Sequence, residues 1–186
     1  IHFITLNGFL ARMSVPDRTI QTLGRPGFYL NNQPIRFTES QDHLAILDVS
    51  GGLFLLNPAG ELGTITGGVE NVAFDGKTKK LLIQKHNSIE VLWLTDNTQS
   101  PFQKKGTIES ITHSPSPILD AVWFFEDDAH AIIRTREGIY FLETDARPDA
   151  NMTELVAGPT DDVITLMEFP RAVFFEKEGI WRKIKI

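Results

Sequence analysis

The side chains best suited to chemistry in this sequence are five histidines and two runs of acidic residues. Two of the histidines, His43 and His130, occupy the same position of a repeated pattern, where Lys or Arg stands in other copies. A position that accepts His, Lys or Arg after a polar turn is typical of a structural or solvated site. The others are His2 near the start of the sequence, His86 in a predicted hairpin turn and His113 in a predicted Ser/Pro loop. No histidine has a second one at the two- or four-residue spacing that suits zinc, so no metal site is predicted.

The acidic runs Glu126–Asp128 and Asp161–Asp162 could supply several oxygens from one loop to a calcium ion. Neither run has the alternating spacing of a calcium-binding helix–loop–helix motif. The first run also falls in a predicted turn between two strands, where polar residues are expected on structural grounds alone. Calcium binding is therefore the weaker interpretation of both runs.

Motifs of the common enzyme classes are missing from the sequence. There is no cysteine, which excludes disulfides, thiolate metal ligands and a cysteine nucleophile. There is no Gly-x-Ser-x-Gly elbow, phosphate-binding loop or dinucleotide fingerprint, and the Gly24–Gly27 segment is a predicted turn because its proline blocks a following helix. We therefore predict no catalytic, cofactor-binding or metal-binding residue and no cofactor.

The composition indicates a folded globular chain without a nucleic-acid surface. Hydrophobic residues make up 41% of the 186 residues and charged residues 23%, which argues against disorder. The formal net charge is −6, and the densest basic cluster, Lys77–Lys79–Lys80–Lys85, is typical of a solvated strand and its turn. Because nucleic-acid binding needs a concentrated basic face, that class of partner is disfavoured. No apolar run approaches the roughly 18 to 20 residues that span a bilayer, so no transmembrane segment is predicted.

A repeated pattern runs through the sequence: a short apolar strand, a tight turn and a second apolar strand. Hairpins of this kind are indicated where Asn-Gly or a similar pair separates β-branched and aromatic residues. The turn positions lie 43, 37, 50 and 41 residues apart, close to the roughly 40 to 50 residues of a four-stranded propeller blade. Phenylalanines recur fourteen residues before three of the turns and should lie where one blade packs on the next. The turn residues are Gly8, Gly51, Ser88, Gly138 and Gly179, and the phenylalanines are Phe37, Phe74 and Phe124.

This spacing predicts an all-β fold, a β-propeller of about five blade repeats with the first and last incomplete. The clearest copy has four predicted strands, at Leu119–Phe125, Ala131–Thr135, Ile139–Glu143 and Thr153–Val156. No long stretch has a helical period, and a β-sandwich is the alternative because sandwiches also space short strands regularly. We expect one propeller domain, or a segment of one, over residues 1–186. Its blade repeats are predicted at about 1–24, 33–67, 69–112, 119–158 and 163–186.

The first copy has no strand before its hairpin, and the last copy has none after it. The favoured interpretation is a slice of a longer propeller of roughly six to eight blades. A five-bladed ring with two incomplete blades ranks second, and two chains that pair through their edge strands rank third.

The fourth copy resembles known propeller families. Residues Trp123–Ile133 resemble the start of a blade in TolB-like and WD-repeat propellers, where an aromatic strand turns through polar residues into a second apolar strand. The continuation Gly138–Asp145, followed by Arg147, Asn151 and Leu155–Gly158, is similar to the propellers of bacterial PEGA-domain proteins. The resemblance covers residues 119–186 well and 34–118 loosely. It implies a location in the bacterial cell envelope or outside the cell.

Two Ser/Pro-containing connections are candidate recognition loops, since long connections often carry function. They are Thr95–Lys105, within the third copy, and Ser110–Pro117, between the third copy and the fourth. A surface loop of variable length is the plainer interpretation of each. The three tryptophans, Trp93, Trp123 and Trp181, are interpreted as packing residues.

The sequence predicts a non-enzymatic interaction or structural module, with a protein partner or self-association. The resemblance adds a possible role at a bacterial cell surface. Propellers display binding loops on rigid rims and around a central channel. The alternative is an enzyme whose active site is assembled at that channel from several blades. His, Asp, Glu or Arg clustered at the starts of several first strands would favour the enzyme, whereas Ser, Thr and apolar residues there would favour binding.

Overall fold

The computed structural model describes residues 1–5, 9–24, 35–125, 129–144, 152–160, 165–167 and 172–185. Within these residues every regular element is a β-strand. The β-branched and aromatic residues favour extended backbone, and Gly, Asn, Asp and Ser mark the turns. The strands are β1 (His2–Ile4), β2 (Leu10–Met13), β3 (Ile20–Gly24), β4 (Arg36–Glu39), β5 (Leu44–Leu47), β6 (Leu53–Leu56), β7 (Leu62–Thr66), β8 (Val69–Phe74), β9 (Lys80–Lys85), β10 (Ser88–Trp93), β11 (Ile108–His113), β12 (Ile118–Trp123), β13 (His130–Thr135), β14 (Gly138–Glu143), β15 (Met152–Ala157), β16 (Thr165–Met167), β17 (Ala172–Lys177) and β18 (Ile180–Lys185).

The strands form five antiparallel sheets, and within each sheet the strand order follows the chain. Three sheets have four strands, namely β4–β7, β8–β11 and β12–β15. The sheets β1–β3 and β16–β18 have three strands each within the described residues. The three four-stranded sheets agree with the predicted four-stranded repeat. We name the strands of each four-stranded sheet A to D in chain order, so that β1–β3 are strands B to D and β16–β18 are strands A to C.

The chain divides into two compact units, Ile1–Val69 and Glu70–Ile186. In the first unit the sheet β1–β3 packs against the sheet β4–β7 through one apolar cluster. Phe37 on β4 packs at this boundary, which is the position predicted for the recurring phenylalanines. The single domain over residues 1–186 and its five repeat ranges stay a prediction. The buried members of the cluster are Leu10, Leu44, Ile46, Phe54 and Leu56.

In the second unit two apolar clusters join three successive sheets. The first cluster lies between β8–β11 and β12–β15 and includes Val91 and Ile133. The second lies between β12–β15 and β16–β18 and includes Phe124 and Phe175. The ring of Phe124 meets that of Phe141 edge-on, with 5.1 Å between the centroids. Phe124 therefore lies where one sheet packs on the next, as predicted.

In each of the three four-stranded sheets, the chain after the D strand is tied to the turn between strands B and C of the same sheet. A backbone N–H one to three residues beyond the D strand donates to a carbonyl of that turn. The close approach explains the glycines of these turns, because a Cβ on Gly51 would lie 2.9 Å from the nitrogen of Val69. A Cβ on Gly138 would collide with the carbonyl oxygen of Val156. The hydrogen bonds run from Val69 to Gly51 (3.0 Å), Ser114 to Asn87 (2.8 Å) and Gly158 to Glu137 (2.6 Å).

Two buried polar side chains at equivalent positions of β9 and β13 donate to backbone carbonyls at the end of their own sheet or the start of the next. Gln84 Nε2 donates to the carbonyl of Ile118 at 2.9 Å, and Arg134 Nη1 donates to that of Thr160 at 3.3 Å. Each acceptor lies where the chain approaches the next sheet. Because buried polar groups need hydrogen-bond partners, these bonds hold the start of β12 against β9 and the segment after β15 against β13.

Candidate functional site

The connection from β10 to β11 contains the predicted Thr95–Lys105 segment, here called the 95–105 loop, which presents one exposed aromatic side chain. Phe102 is 76% exposed, more than any other large apolar side chain of the described residues. The loop backbone closes on itself, since Asn97 and Gln103 exchange N–H···O hydrogen bonds of 2.7 and 3.1 Å. The side-chain amide of Asn97 also donates to the carbonyl of Pro101 at 2.7 Å. Phe102 is therefore displayed on a loop that its own hydrogen bonds hold in shape.

Glu109 on β11 holds the base of the 95–105 loop. It accepts a hydrogen bond of 2.6 Å from the indole N–H of Trp93 and another from the side-chain amide of Gln103. Trp93 is buried, and Lys80 Nζ lies 4.3 Å from its ring centroid in a cation–π contact. The loop is thus anchored to the buried part of its sheet.

An exposed aromatic ring on a hydrogen-bonded loop is suited to binding another protein. Aromatic side chains supply much of the energy of protein interfaces when they enter a pocket of the partner. A loop that is already held in one conformation also loses less entropy on binding. Phe102 is an exposed aromatic side chain on a loop held by its own hydrogen bonds.

A second candidate site is a cleft of 370 Å³ in the first unit, lined by residues of the sheets β1–β3 and β4–β7. A row across β1, β2 and β3 carries His2, Arg12 and Gln21, and Arg12 Nη2 donates to Gln21 Oε1 at 3.4 Å. His2 Nδ1 lies 2.6 Å from Oε1 of Glu39 on β4. A histidine–carboxylate pair beside a guanidinium has the groups needed to bind an anion or to transfer a proton.

The cleft also brings two of the sequence-predicted histidines together, because His2 and His43 both line it. His43 is buried at the start of β5, where its backbone N–H donates to Ser40 Oγ at 3.1 Å. Their separation in the sequence gave no sign of this proximity. The sequence did not predict the cleft, because it forms only where the two sheets pack against each other.

Two of the other histidines, His86 and His130, have individual contacts in the second unit. His86 lies in the β9–β10 turn, as predicted, with Nδ1 2.9 Å from Oε1 of Glu70. The ring of His130 stacks on Phe141 with 4.7 Å between the centroids. Within the described residues, no group of three or more His, Asp or Glu side chains is placed to hold a metal ion. The acidic runs at 126–128 and 161–162 and most of the predicted turn at 24–27 lie outside the described residues.

Three interpretations from the sequence are wrong. Ser110–Pro117 is not one connecting loop, because its first part up to His113 belongs to β11, a D strand with polar residues on its exposed side. Lys80 is not solvated, since it is buried and its Nζ lies over the Trp93 ring. Trp181 is not a packing residue, because it is 58% exposed on β18. Trp93 and Trp123 are buried, as predicted.

Phe102 is the functional candidate that sequence reasoning located only to its loop. Apart from Pro101, the segment around it is polar, with Gln99 and Ser100 before it and Gln103 and Lys104 after it. An aromatic residue in such a polar connection is a signal that could have singled it out.

Comparison with known proteins establishes the fold. No family model and no curated protein sequence matches the chain. Virginiamycin B lyase from Staphylococcus aureus matches 100% of the chain and 69% of its own length, with a TM-score of 0.56 and 10% sequence identity. Its catalytically inactive form with quinupristin has the same coverage, a TM-score of 0.54 and 12% identity. A protein in the S. cerevisiae structure of dbp5 bound to nup159, gle1, IP6 and ADP matches 97% of the present chain and 56% of its own length. The TM-score is 0.52 and the sequence identity is 9%.

These structural neighbours are β-propellers, so the predicted propeller fold is confirmed in preference to the sandwich. They include a lyase and a member of a protein assembly, and at this level of identity they establish the fold alone. The resemblance to PEGA-domain propellers stays a hypothesis. No helix among the described residues is long and apolar enough to cross a membrane.

Proposed function

We propose that the protein is a non-enzymatic β-propeller interaction module that binds a protein partner through the 95–105 loop, with Phe102 as the anchor. The observation that carries this proposal is the 76% exposure of Phe102 on a loop closed by hydrogen bonds. Exposed apolar side chains are common singly, but this one is combined with a braced backbone and an anchored base.

The physical reason is the balance between desolvation and entropy at an interface. Moving a Phe side chain from water into a partner's pocket is worth roughly 1.5 to 3 kcal/mol. The hydrogen bonds between Asn97 and Gln103 have already restricted the loop, so less of this gain is lost to ordering. The polar side chains around Phe102 match the polar rim that surrounds an interface anchor.

The test is quantitative affinity capture from extracts of the source organism with the wild-type protein and two variants. Phe102→Ala should lose a defined set of bound proteins. Val15→Ala is the matched control, since Val15 is also an exposed apolar side chain, at 62%, but lies in the β2–β3 connection. Retention of the same bound proteins by Phe102→Ala would contradict the proposal, as would equal losses from both variants.

The enzyme alternative has one specific observation in its favour, the His2–Glu39 pair in the cleft. If the cleft is an active site, Glu39→Gln should abolish a change that the wild-type protein causes in a metabolite extract, as followed by mass spectrometry. Asp17→Asn, which changes an exposed carboxylate of the β2–β3 connection, is the control. An extract that the wild-type protein leaves unchanged would count against the enzyme.

The cellular location belongs to the proposal as well. The resemblance of residues 119–186 to propellers of PEGA-domain proteins supports a place in the bacterial envelope or outside the cell. Antibody labelling of intact cells, compared with permeabilised cells, tests it: signal from intact cells supports the location, and signal only after permeabilisation contradicts it.

A further inference from the structure

The end of the sheet β8–β11 that carries the 95–105 loop is rich in exposed lysine. The β8–β9 turn meets the 95–105 loop at this end, because the backbone N–H of Leu94 donates to the carbonyl of Lys79 at 2.8 Å. Asp96 is the one exposed carboxylate of the two connections. Their exposed lysines are Lys77, Lys79, Lys104 and Lys105. This end of the sheet therefore carries a net positive charge.

The carboxylates of the same two connections bind backbone N–H groups. Asp75 is buried, and its Oδ1 accepts the N–H of Lys79 at 2.7 Å. Asp96 Oδ1 accepts the N–H of Lys105 at 2.8 Å. Within the part of the chain that the structure describes, no carboxylate forms an ion pair with Lys79, Lys104 or Lys105. The ammonium groups of these three lysines are therefore available to a partner.

The equivalent end of the sheet β4–β7 has a different charge. Its β4–β5 and β6–β7 turns contain no Lys or Arg, and Asp42 and Glu61 are exposed there. The β6–β7 turn spans only residues 57–61 and contains no aromatic residue. Positive charge is thus not a general property of this end of a sheet in the fold. In the sheet β8–β11 it accompanies the exposed ring of Phe102.

Exposed lysines beside an aromatic anchor indicate the charge of the surface that the anchor meets. Opposite charges at the rim of an interface accelerate association, and salt screens them beyond roughly 8 Å. A long polyanion such as a nucleic acid would extend past this end onto a chain whose net charge is −6. The two connections also contain no arginine, the side chain best suited to phosphate groups. A compact acidic surface on a protein fits these observations better.

We propose that the partner of the 95–105 loop is a protein with an acidic surface, whose carboxylates surround the pocket that receives Phe102. Lys104 follows Phe102 by two residues in the same loop, and Lys79 lies beside the start of the connection. The lysines attract the carboxylates and raise the association rate, whereas the ring provides most of the affinity. This inference rests on the proposed function and adds the charge of the partner.

The experiment compares the proteins that the wild type and three variants capture from extracts of the source organism. The partner is the protein that the wild type captures and Phe102→Ala does not. Lys79→Glu/Lys104→Glu should capture about tenfold less of that protein at low salt. Arg18→Glu/Arg136→Glu makes the same change in net charge at exposed arginines of the β2–β3 and β13–β14 turns, and should capture like the wild type. Added salt should lower capture by the wild type toward that of the lysine variant.

A carbodiimide locates the charges in the wild-type complex, because it joins a lysine amine to a carboxylate in contact with it as an amide. Mass spectrometry should find amide bonds from Lys79, Lys104 or Lys105 to Asp or Glu residues of the partner. This measurement needs no variant, so it keeps the proposal testable if the lysine variant does not fold.

The outcomes separate this inference from the proposed function. Capture of the same proteins by Phe102→Ala would contradict both. A Phe102-dependent protein that the lysine variant captures normally, that the arginine variant loses equally, or that forms no amide bond with the three lysines would overturn this inference alone. Binding of a single-stranded oligonucleotide or of phosphatidylserine vesicles that Lys79→Glu/Lys104→Glu weakens would also overturn it, because the lysines would then serve a nucleic acid or a membrane.

Discussion

The hairpins β13–β14 and β17–β18 have nearly the same sequence at their turns and different surroundings. The turns are Glu137-Gly138-Ile139 and Glu178-Gly179-Ile180. Ile139 is fully buried, whereas Ile180 is 57% exposed. A Cβ on Gly138 would strike β15, but nothing described lies within 4 Å of a Cβ on Gly179.

The difference teaches that a hairpin in this fold does not bury its own apolar residues. The apolar residues of a hairpin are buried by the D strand that pairs beside it and by the next sheet that packs on its face. Where β15 is present, β14 is part of the core; β18 has no described strand on its outer side and exposes the equivalent residues. Local sequence sets the hairpin, and the neighbouring strands set its environment.

The largest expected difference in stability is between substitutions of the two isoleucines. Ile139→Ala removes a fully buried side chain and should lower the free energy of unfolding by about 2 to 5 kcal/mol. Ile180→Ala should change it by less than about 0.5 kcal/mol, because the side chain is already in water. Urea unfolding of both variants measures the difference, and equal costs would contradict the comparison.

Substitutions of the two turn glycines test the same comparison between the hairpins. Gly138→Ala should cost about 1 to 3 kcal/mol, because the new methyl group meets the backbone of β15. Gly179 has φ of +70°, so Gly179→Ala should cost roughly 1 kcal/mol through backbone strain alone. Thermal unfolding monitored by circular dichroism compares the stability costs of the two variants. A larger cost at Gly179 would mean that a strand also packs against that turn.

Substitutions of Trp123 and Trp181 should show a smaller difference in stability. Trp123→Phe removes the 2.8 Å hydrogen bond from its indole N–H to the carbonyl of Ala73 and should cost about 1 kcal/mol. Trp181→Phe should change stability by less than about 0.5 kcal/mol, since Trp181 is exposed. Chemical denaturation followed by the fluorescence of the remaining tryptophans provides the measurement. A substantial loss from Trp181→Phe would show that its ring is packed.

The smallest effect on stability is expected at Phe102. Phe102→Ala should leave the free energy of unfolding within about 0.5 kcal/mol of the wild type, because the loop is held by Asn97, Gln103 and Glu109 and not by the ring. Urea unfolding of the wild type and of Phe102→Ala measures this free energy. A loss of several kcal/mol would assign Phe102 to packing and remove the argument for a binding anchor.

The repeated hairpins could be predicted from the sequence because turn chemistry is local. Gly51 and Gly179 have the positive φ that tight hairpin turns favour, whereas Gly138 does not and is required instead by the close approach of Val156. The recurring phenylalanines marked the packing between sheets, as Phe37 and Phe124 show. The propeller fold followed from this period.

The remainder depends on contacts that local patterns do not encode. Ser110–His113 was assigned to a loop because a D strand that is exposed on one side is as polar as a loop. The cleft joins His2, Arg12 and Glu39, which come together only through strand pairing and sheet packing. The exposure of Trp181 depends on which strands lie beside β18, and its own sequence does not specify them.

The most direct test of the interaction function is photo-crosslinking from residue 102 in extracts of the source organism. A photoreactive phenylalanine analogue at position 102 should form a covalent adduct with another protein, and the same analogue at position 15 should not. An adduct specific to position 102 is the result that the account predicts. No adduct from position 102, or the same adducts from both positions, would contradict the assignment of Phe102 as a binding anchor.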